Sequence, residues 1–89
     1  MTRSLYVCNI PYEAGERELK EFFSRYGEVA GAVVSRDPET RQSLGYGFVE
    51  MDEINAEAAL AASGEMMGRR RIKVEYALTR RKNRGGIMT

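Results

Sequence analysis

Two periods of hydrophobic residues divide this chain into short segments. Four short stretches rich in apolar residues predict strands, and in residues 71–76 the apolar side chains alternate with polar ones, which is typical of a strand that buries one face. In two others the apolar residues recur every three to four positions, as at Leu19, Phe22 and Phe23, which predicts amphipathic helices. Gly15 and Asp52 are the expected N-caps of these helices. Strands are expected over residues 5–10, 29–36, 44–51 and 71–76, and helices over residues 16–26 and 53–63.

The predicted order is β-α-β-β-α-β, which is typical of the ferredoxin-like α+β sandwich. Two helices can cover only one face of a four-stranded antiparallel sheet, so the other face stays open to solvent or to a ligand. The chain has 89 residues, enough for one domain and too few for two. We expect one domain over residues 1–77 and a basic, flexible tail over residues 78–89.

The third predicted strand indicates which of its side chains face the open side. Side chains alternate between the two faces of a strand, so Tyr46, Phe48 and Glu50 share one face. Burying Glu50 in the core would leave an unpaired carboxylate there, which is costly. The opposite set, which includes Gly45 and Gly47, therefore faces the helices, where glycines let bulky helix residues approach the sheet. Tyr46 and Phe48 are then expected on the open face.

The first predicted strand adds a third aromatic residue to this face. Leu5 and Val7 suit the core, which leaves Tyr6 and Cys8 pointing outward. The first and third strands are central in this topology, so Tyr6 is expected beside the two aromatic residues of the third strand. A single aromatic residue in a strand is more often part of the core. Here, three aromatic residues share one face of the sheet, and two glycines occupy the opposite face of the third strand. This arrangement favours an exposed aromatic patch, and such patches usually mark binding sites. Nucleobases suit the patch because they stack on aromatic rings.

Two segments resemble the sequence motifs of the RNA-recognition motif family. Residues 5–10, Leu-Tyr-Val-Cys-Asn-Ile, are similar to its hexamer motif and begin 39 residues before the octamer-like segment 44–51. In that octamer five consecutive positions match the pattern Gly-Phe/Tyr-Gly/Ala-Phe-Val. The resemblance covers roughly residues 4–77. It implies that the protein binds short single-stranded RNA and that Tyr6, Tyr46 and Phe48 are its base-stacking positions.

The sequence departs from the family pattern at the two ends of the octamer. Leu44 stands where the family usually has Lys or Arg, so one phosphate contact is expected to be missing. Arg36 and Arg41 are the nearby candidates to supply it. Met51 replaces the usual final aromatic residue and is expected to fill the core in its place.

The charged residues are distributed unevenly along the chain. Residues 1–68 contain six Lys/Arg and twelve Asp/Glu, whereas residues 69–89 contain eight Lys/Arg and one acid, Glu75. A basic segment of this kind often contacts nucleic acid, although it is equally typical of a solvated tail. Glu50 and Glu75 are expected to bring negative charge to the open face, which Lys73 partly offsets. The basic residues predicted to contact phosphates or bases are Lys73, Arg80, Arg81, Lys82 and Arg84.

Composition argues against several other classes of protein. The sequence has no histidine for acid–base catalysis and a single cysteine, Cys8, so we expect no enzymatic activity, cofactor, metal site or disulfide. It begins Met1-Thr2-Arg3-Ser4 without a leader-like segment, and no apolar stretch approaches the ~20 residues of a membrane span. We expect an intracellular monomer, cytoplasmic, or nuclear in a eukaryote. The open alternative is a protein-interaction module of the same fold that binds a peptide or a partner protein.

Overall fold

The computed structural model describes residues 1–77 of the chain. Four strands form an antiparallel sheet, and two helices alternate with them along the chain. The strands of this sheet are β1 (Thr2–Cys8), β2 (Val29–Arg36), β3 (Ser43–Asp52) and β6 (Lys73–Tyr76). The helices are α1 (Glu16–Phe23) and α2 (Glu53–Ala59). Two strands of two residues each, β4 (Met66–Met67) and β5 (Arg70–Arg71), form a small hairpin between α2 and β6.

The order of the strands in the sheet is β2-β3-β1-β6, so β1 and β3 are central as predicted. All three neighbouring pairs are antiparallel. In the central pair Tyr6 lies opposite Phe48, and Cys8 lies opposite Tyr46. The β-α-β-β-α-β order predicted from the sequence is therefore confirmed, and the fold is the ferredoxin-like α+β sandwich.

The core lies between the helices and one face of the sheet. Alternation places Leu5 and Val7 of β1 and Val49 and Met51 of β3 on this face, and all four are completely buried. Completely burying an aliphatic or aromatic side chain of this size stabilises the fold by about 1.5–3 kcal/mol. The largest completely buried side chains are Phe23, Leu5, Ile10, Leu19, Met51, Ile72, Val7 and Val49.

Local signals define where both helices begin. Gly15 precedes α1, and its backbone N–H donates to the Glu18 carboxylate at 2.8 Å, which satisfies one donor at the helix start. Asp52 caps α2 by accepting a hydrogen bond from the backbone N–H of Ile54 at 3.3 Å. Both N-caps were predicted from the sequence, and both are confirmed.

The structure differs from the sequence prediction at the ends of the helices. Each helix tightens into one 3₁₀ turn, Ser24–Tyr26 after α1 and Leu60–Ala62 after α2, so the α-helical parts are shorter than predicted. Short 3₁₀ turns are common at helix ends because they satisfy carbonyls that lack an α-helical partner. The β4–β5 hairpin was also missed, since its two-residue strands are too short to show a period of two.

Candidate nucleic-acid interface

Three aromatic rings form a continuous patch at the centre of the open face. The ring of Tyr6 lies 5.7 Å from that of Tyr46 and 5.5 Å from that of Phe48, measured between centroids. The rings of Tyr46 and Phe48 lie 6.5 Å apart. Phe48 is 37% exposed, and the two tyrosines are half-buried against their neighbours. The rings that the sequence predicted for the open face thus lie side by side on it.

The opposite face of β3 explains why these rings point outward. Leu19 of α1 packs directly over Gly47, and a Cβ built at Gly47 would lie 3.3 Å from Cδ1 of Leu19. The same Cβ would lie within clashing distance of the backbone carbonyl of Val33. Gly47 therefore permits the close approach of β2 and of α1, as the sequence indicated. The α1 residue that uses this space is Leu19.

Gly45 does not lie beneath the helices, so the sequence prediction for this residue is wrong. It has a φ of +88°, a left-handed conformation that glycine adopts without strain, at an irregularity in the pairing of β2 with β3. A Cβ at Gly45 would lie 3.3 Å from the ring of Tyr12. The irregularity interrupts the alternation of side chains that the prediction assumed.

Charged side chains surround the aromatic patch unevenly. Lys73 of β6 pairs with Cys8, at the end of the patch that holds Tyr46. Glu75 pairs with Tyr6 in the centre. Both β6 side chains are exposed, as predicted for the open face. The open face is therefore positive near Lys73 and negative beside Glu75.

Glu50 adds a second negative charge beyond the aromatic patch. It follows Phe48 by two residues on β3, so both side chains lie on the same face. It pairs with Ser4 on one side and with Gly31 on the other. Its exposure agrees with the sequence argument that kept this carboxylate out of the core.

The surroundings of Tyr6 make its hydroxyl harder to ionise. Desolvation by burial raises the pKa of Tyr6 above its ordinary value of 10.0, and the neighbouring Cys8, Tyr46 and Glu75 raise it further. A tyrosine hydroxyl is neutral near pH 7 even at its ordinary pKa, and the raised pKa of Tyr6 leaves it so. It can donate a hydrogen bond and does not repel a phosphate. Cys8, which the sequence predicted to point outward on the same face, pairs with Tyr46 and is half-buried.

Arg36 is engaged in the fold, which counts against it as a replacement for the basic residue missing at Leu44. Its guanidinium lies 3.3 Å from the Glu16 carboxylate and donates to the backbone carbonyl of Arg41, also at 3.3 Å. Glu16 in turn accepts a hydrogen bond from the backbone N–H of Val34 at 3.0 Å, and this bond is the main cause of its lowered pKa. Glu16 thus ties α1 to β2.

The β4–β5 hairpin brings an arginine and an exposed aromatic ring together beyond the end of β1. Asn9 has a φ of +63°, and its side-chain amide donates to the backbone carbonyl of Arg71 at 2.8 Å. Its oxygen accepts from Nε of Arg70 at 3.2 Å. The Arg70 guanidinium lies 5.3 Å from the centroid of the Tyr12 ring, and Tyr12 is 61% exposed. Sequence reasoning missed this group. The run of three arginines after Gly68 was the available signal.

The remaining predicted contacts are outside the part of the chain that the structure describes. Arg80, Arg81, Lys82 and Arg84 belong to residues 78–89, and their role stays a prediction. Within residues 1–77, no group of three or more His, Cys, Asp or Glu side chains is placed to hold a metal ion. No helix in this same span is long and apolar enough to cross a membrane.

Comparison with known sequences identifies relatives of this chain. Residues 5–73 match the RNA recognition motif family. The chain is 45% identical over 67 residues to the human cleavage stimulation factor subunit 2 tau variant, covering 75% of this chain and 11% of that protein. It is 43% identical over 79 residues to mouse Transformer-2 protein homolog alpha, covering 86% of this chain and 28% of that protein. The chain thus spans only a small part of these curated relatives.

Comparison with solved structures also identifies RNA-binding proteins as similar to this chain. The crystal structure of RNA-binding protein PG1 superposes with a TM-score of 0.83 and 36% identity, covering 90% of this chain and 99% of that one. The structure of the Rna15 RRM with bound RNA (GU) superposes with a TM-score of 0.77 and 30% identity, covering 86% of this chain and 84% of that one.

Proposed function

This chain belongs to the RNA recognition motif family, and on that premise we propose that it binds a few nucleotides of single-stranded RNA on the open face of its sheet. The resemblance seen in the sequence is thereby confirmed. The observation that carries the proposal is the continuous patch formed by Tyr6, Tyr46 and Phe48. An exposed aromatic patch on a folded domain indicates a ligand with flat, stackable groups.

In this proposal each ring supports one base or shares a base with its neighbour. Stacking of a base on an aromatic side chain contributes about 1–3 kcal/mol and tolerates different bases. Affinity therefore comes mainly from Tyr6, Tyr46 and Phe48, whose rings are held in place by the alternation of β1 and β3. Because the strands are packed on the core, the patch is formed before RNA arrives.

Charge sets where the phosphates of the bound strand pass. Lys73 attracts them to the end of the patch that holds Tyr46, whereas Glu50 and Glu75 repel them elsewhere. We propose that the basic residues 80–84, beyond the end of the described chain, add phosphate contacts. Residues 1–77 are the RNA-binding domain in this scheme, and residues 78–89 are a basic tail.

The proposed activity is binding and includes no chemical reaction or cofactor. Because the proposed ligand is RNA, the proposal places the protein inside the cell, in the cytoplasm or, in a eukaryote, in the nucleus. A monomer is sufficient, since the proposed site lies within one chain. A partner protein on the same face is the competing ligand.

An NMR titration of the full chain with randomised hexamer RNA tests this proposal. RNA binding on the open face will shift backbone resonances of β1 and β3 more than those of α1 and α2. Shifts concentrated on the helices would contradict the proposed site. An absence of shifts at millimolar RNA would contradict RNA as the ligand and favour the protein-interaction alternative.

A further inference from the structure

We propose that Glu50 selects guanine for the base that stacks on Phe48. This inference rests on the proposed RNA-binding function and concerns one position within that site. It is carried by a carboxylate that lies beside a stacking ring, at the edge of a shallow pocket.

The pocket lies between Phe48 and the edge strand β2. It has a volume of about 190 Å³, and its walls include Ser4, Gly31, Val33, Phe48 and Glu50. Val33 is 58% exposed and offers an apolar surface beside the Phe48 ring. A base that stacks on Phe48 can therefore extend over Val33, with its polar edge towards Glu50.

The position of Glu50 on β3 suits a contact with the edge of such a base. Residues two apart on a strand are separated by about 7 Å, since each residue advances the strand by about 3.4 Å. This separation is comparable to the reach from the centre of a purine, across its polar edge, to a hydrogen-bond partner. Glu50 thus lies beside the stacked base, where a contact reads the base edge.

The Glu50 carboxylate has unused acceptor capacity. Its Oε2 accepts one hydrogen bond, from Thr2 Oγ1 at 3.2 Å. Its Oε1 lies over Gly31, where a Cβ would be 4.0 Å away, so the missing side chain leaves this oxygen uncovered. Among residues 1–77, no Lys or Arg nitrogen lies within the 4.0 Å of an ion pair with Glu50. An ionised carboxylate accepts up to about four hydrogen bonds and donates none.

Of the four RNA bases, guanine matches a carboxylate best. Its N1–H and N2–H₂ groups are adjacent donors on one edge, and both oxygens of a carboxylate can accept from them. Adenine and cytosine each present one amino donor next to an acceptor nitrogen, and uracil presents one N–H between two carbonyls. A well-formed bidentate contact discriminates between bases by about 1–3 kcal/mol, which corresponds to about fivefold to 150-fold in affinity.

The test compares binding of the full chain to U-rich hexamers that carry a single G, A or C, by fluorescence anisotropy. We expect wild type to bind the guanine hexamer about tenfold or more tightly than the others. Glu50→Gln replaces the paired acceptors with one oxygen and one NH₂ group, so the preference for guanine will fall at least about fivefold. Binding to hexaU will be equal or tighter, because a negative charge near the phosphates is removed.

Glu75→Gln is the matched control, because it removes the same charge from the same face beside Tyr6. It will raise affinity for all hexamers alike and leave the guanine preference intact. The inference is overturned if wild type shows no guanine preference, if Glu50→Gln retains it, or if Glu75→Gln removes it equally. Phe48→Ala distinguishes failure of the proposed guanine contact from failure of the proposed RNA binding. If hexamers bind and this variant weakens them, the proposed function stands whatever the result at Glu50. If none binds, both fail.

Discussion

Removing two of the three rings of the aromatic patch tests the proposed interface most directly. In the double variant Tyr46→Ala/Phe48→Ala, only Tyr6 remains to support a base. Two lost stacking contacts of about 1–3 kcal/mol each weaken RNA binding by about 2–6 kcal/mol, if they act independently. This loss corresponds to an increase in Kd of about 30-fold to more than about 10,000-fold. The rings contact each other, so the measured loss can deviate from the sum of the single variants.

The same substitution also lowers the stability of the fold, and this effect can be measured separately from the effect on binding. It removes the three ring–ring contacts of the patch, and each such contact contributes about 0.5–1.5 kcal/mol. A loss of 1 kcal/mol lowers the Tm of a domain of this size by about 4–8 °C. The three contacts together contribute about 1.5–4.5 kcal/mol, which is less than the about 5–15 kcal/mol by which a domain is normally stable, so the variant is expected to remain folded at 25 °C with a lowered Tm. Phe48→Leu preserves most of the apolar contact while removing the aromatic face, so it weakens binding with little effect on Tm.

The assay is fluorescence anisotropy with a labelled hexamer, alongside thermal melting by circular dichroism. Val49→Ala is the matched control, because Val49 follows Phe48 on β3 and is completely buried on the opposite face. It will lower the stability by roughly 2 kcal/mol and leave the Kd of the folded protein unchanged. Unfolding of the double variant at 25 °C would show that the rings belong to the core. An unchanged Kd in a folded double variant would refute the stacking argument.

Three further predictions concern the fold and the tail. Gly47→Ala will lower the free energy of unfolding by about 1–3 kcal/mol or more, measured by urea denaturation, because its Cβ would clash with a β2 carbonyl. Gly31→Ala will be near neutral, because its Cβ would make only an ordinary contact, with Glu50 Oε1 at 4.0 Å. Glu16 has a pKa in the folded protein below its ordinary value of 4.5, so its contribution to stability is present above pH 4.5 and is lost as the pH falls through the folded pKa. Glu16→Gln will therefore flatten the acid dependence of the free energy of unfolding, measured by urea denaturation at a series of pH values. Deleting residues 80–89 will weaken RNA binding more at low salt than at high salt and leave Tm nearly unchanged. If the truncated protein binds RNA as tightly as the full chain at both salt concentrations, this segment is only a solubilising tail.

The sequence by itself determined the two helices, the four strands of the main sheet and the faces of the central strands, although it missed the β4–β5 hairpin. Alternation is a local property of an extended chain, so Leu5 and Val7 had to face the core once Tyr6 faced outward. The carboxylate of Glu50 decided the same choice for β3, since an unpaired charge cannot be buried cheaply. The caps at Gly15 and Asp52 were equally local. The Gly15 N–H donates to the side chain of Glu18, and the Asp52 side chain accepts from the N–H of Ile54, so each hydrogen bond spans at most three residues.

Only the tertiary structure decided which distant groups meet. The pairing of Arg36 with Glu16, and the hydrogen bond from the β2 backbone to Glu16, join residues 18 to 20 positions apart, which no local period encodes. The irregularity at Gly45 depends on how β2 pairs with β3, and it defeated a prediction based on strict alternation.

The same distinction applies within the proposed site. Alternation predicted that Phe48 and Glu50 share the open face. It could not show that Gly31 of another strand leaves the Glu50 carboxylate uncovered, because that depends on the register between β2 and β3. The contact between Arg70 and Tyr12 likewise exists because the hairpin folds back on the end of β1. Side-chain direction is set by the local backbone, whereas side-chain neighbours are set by strand register and by packing across the whole domain.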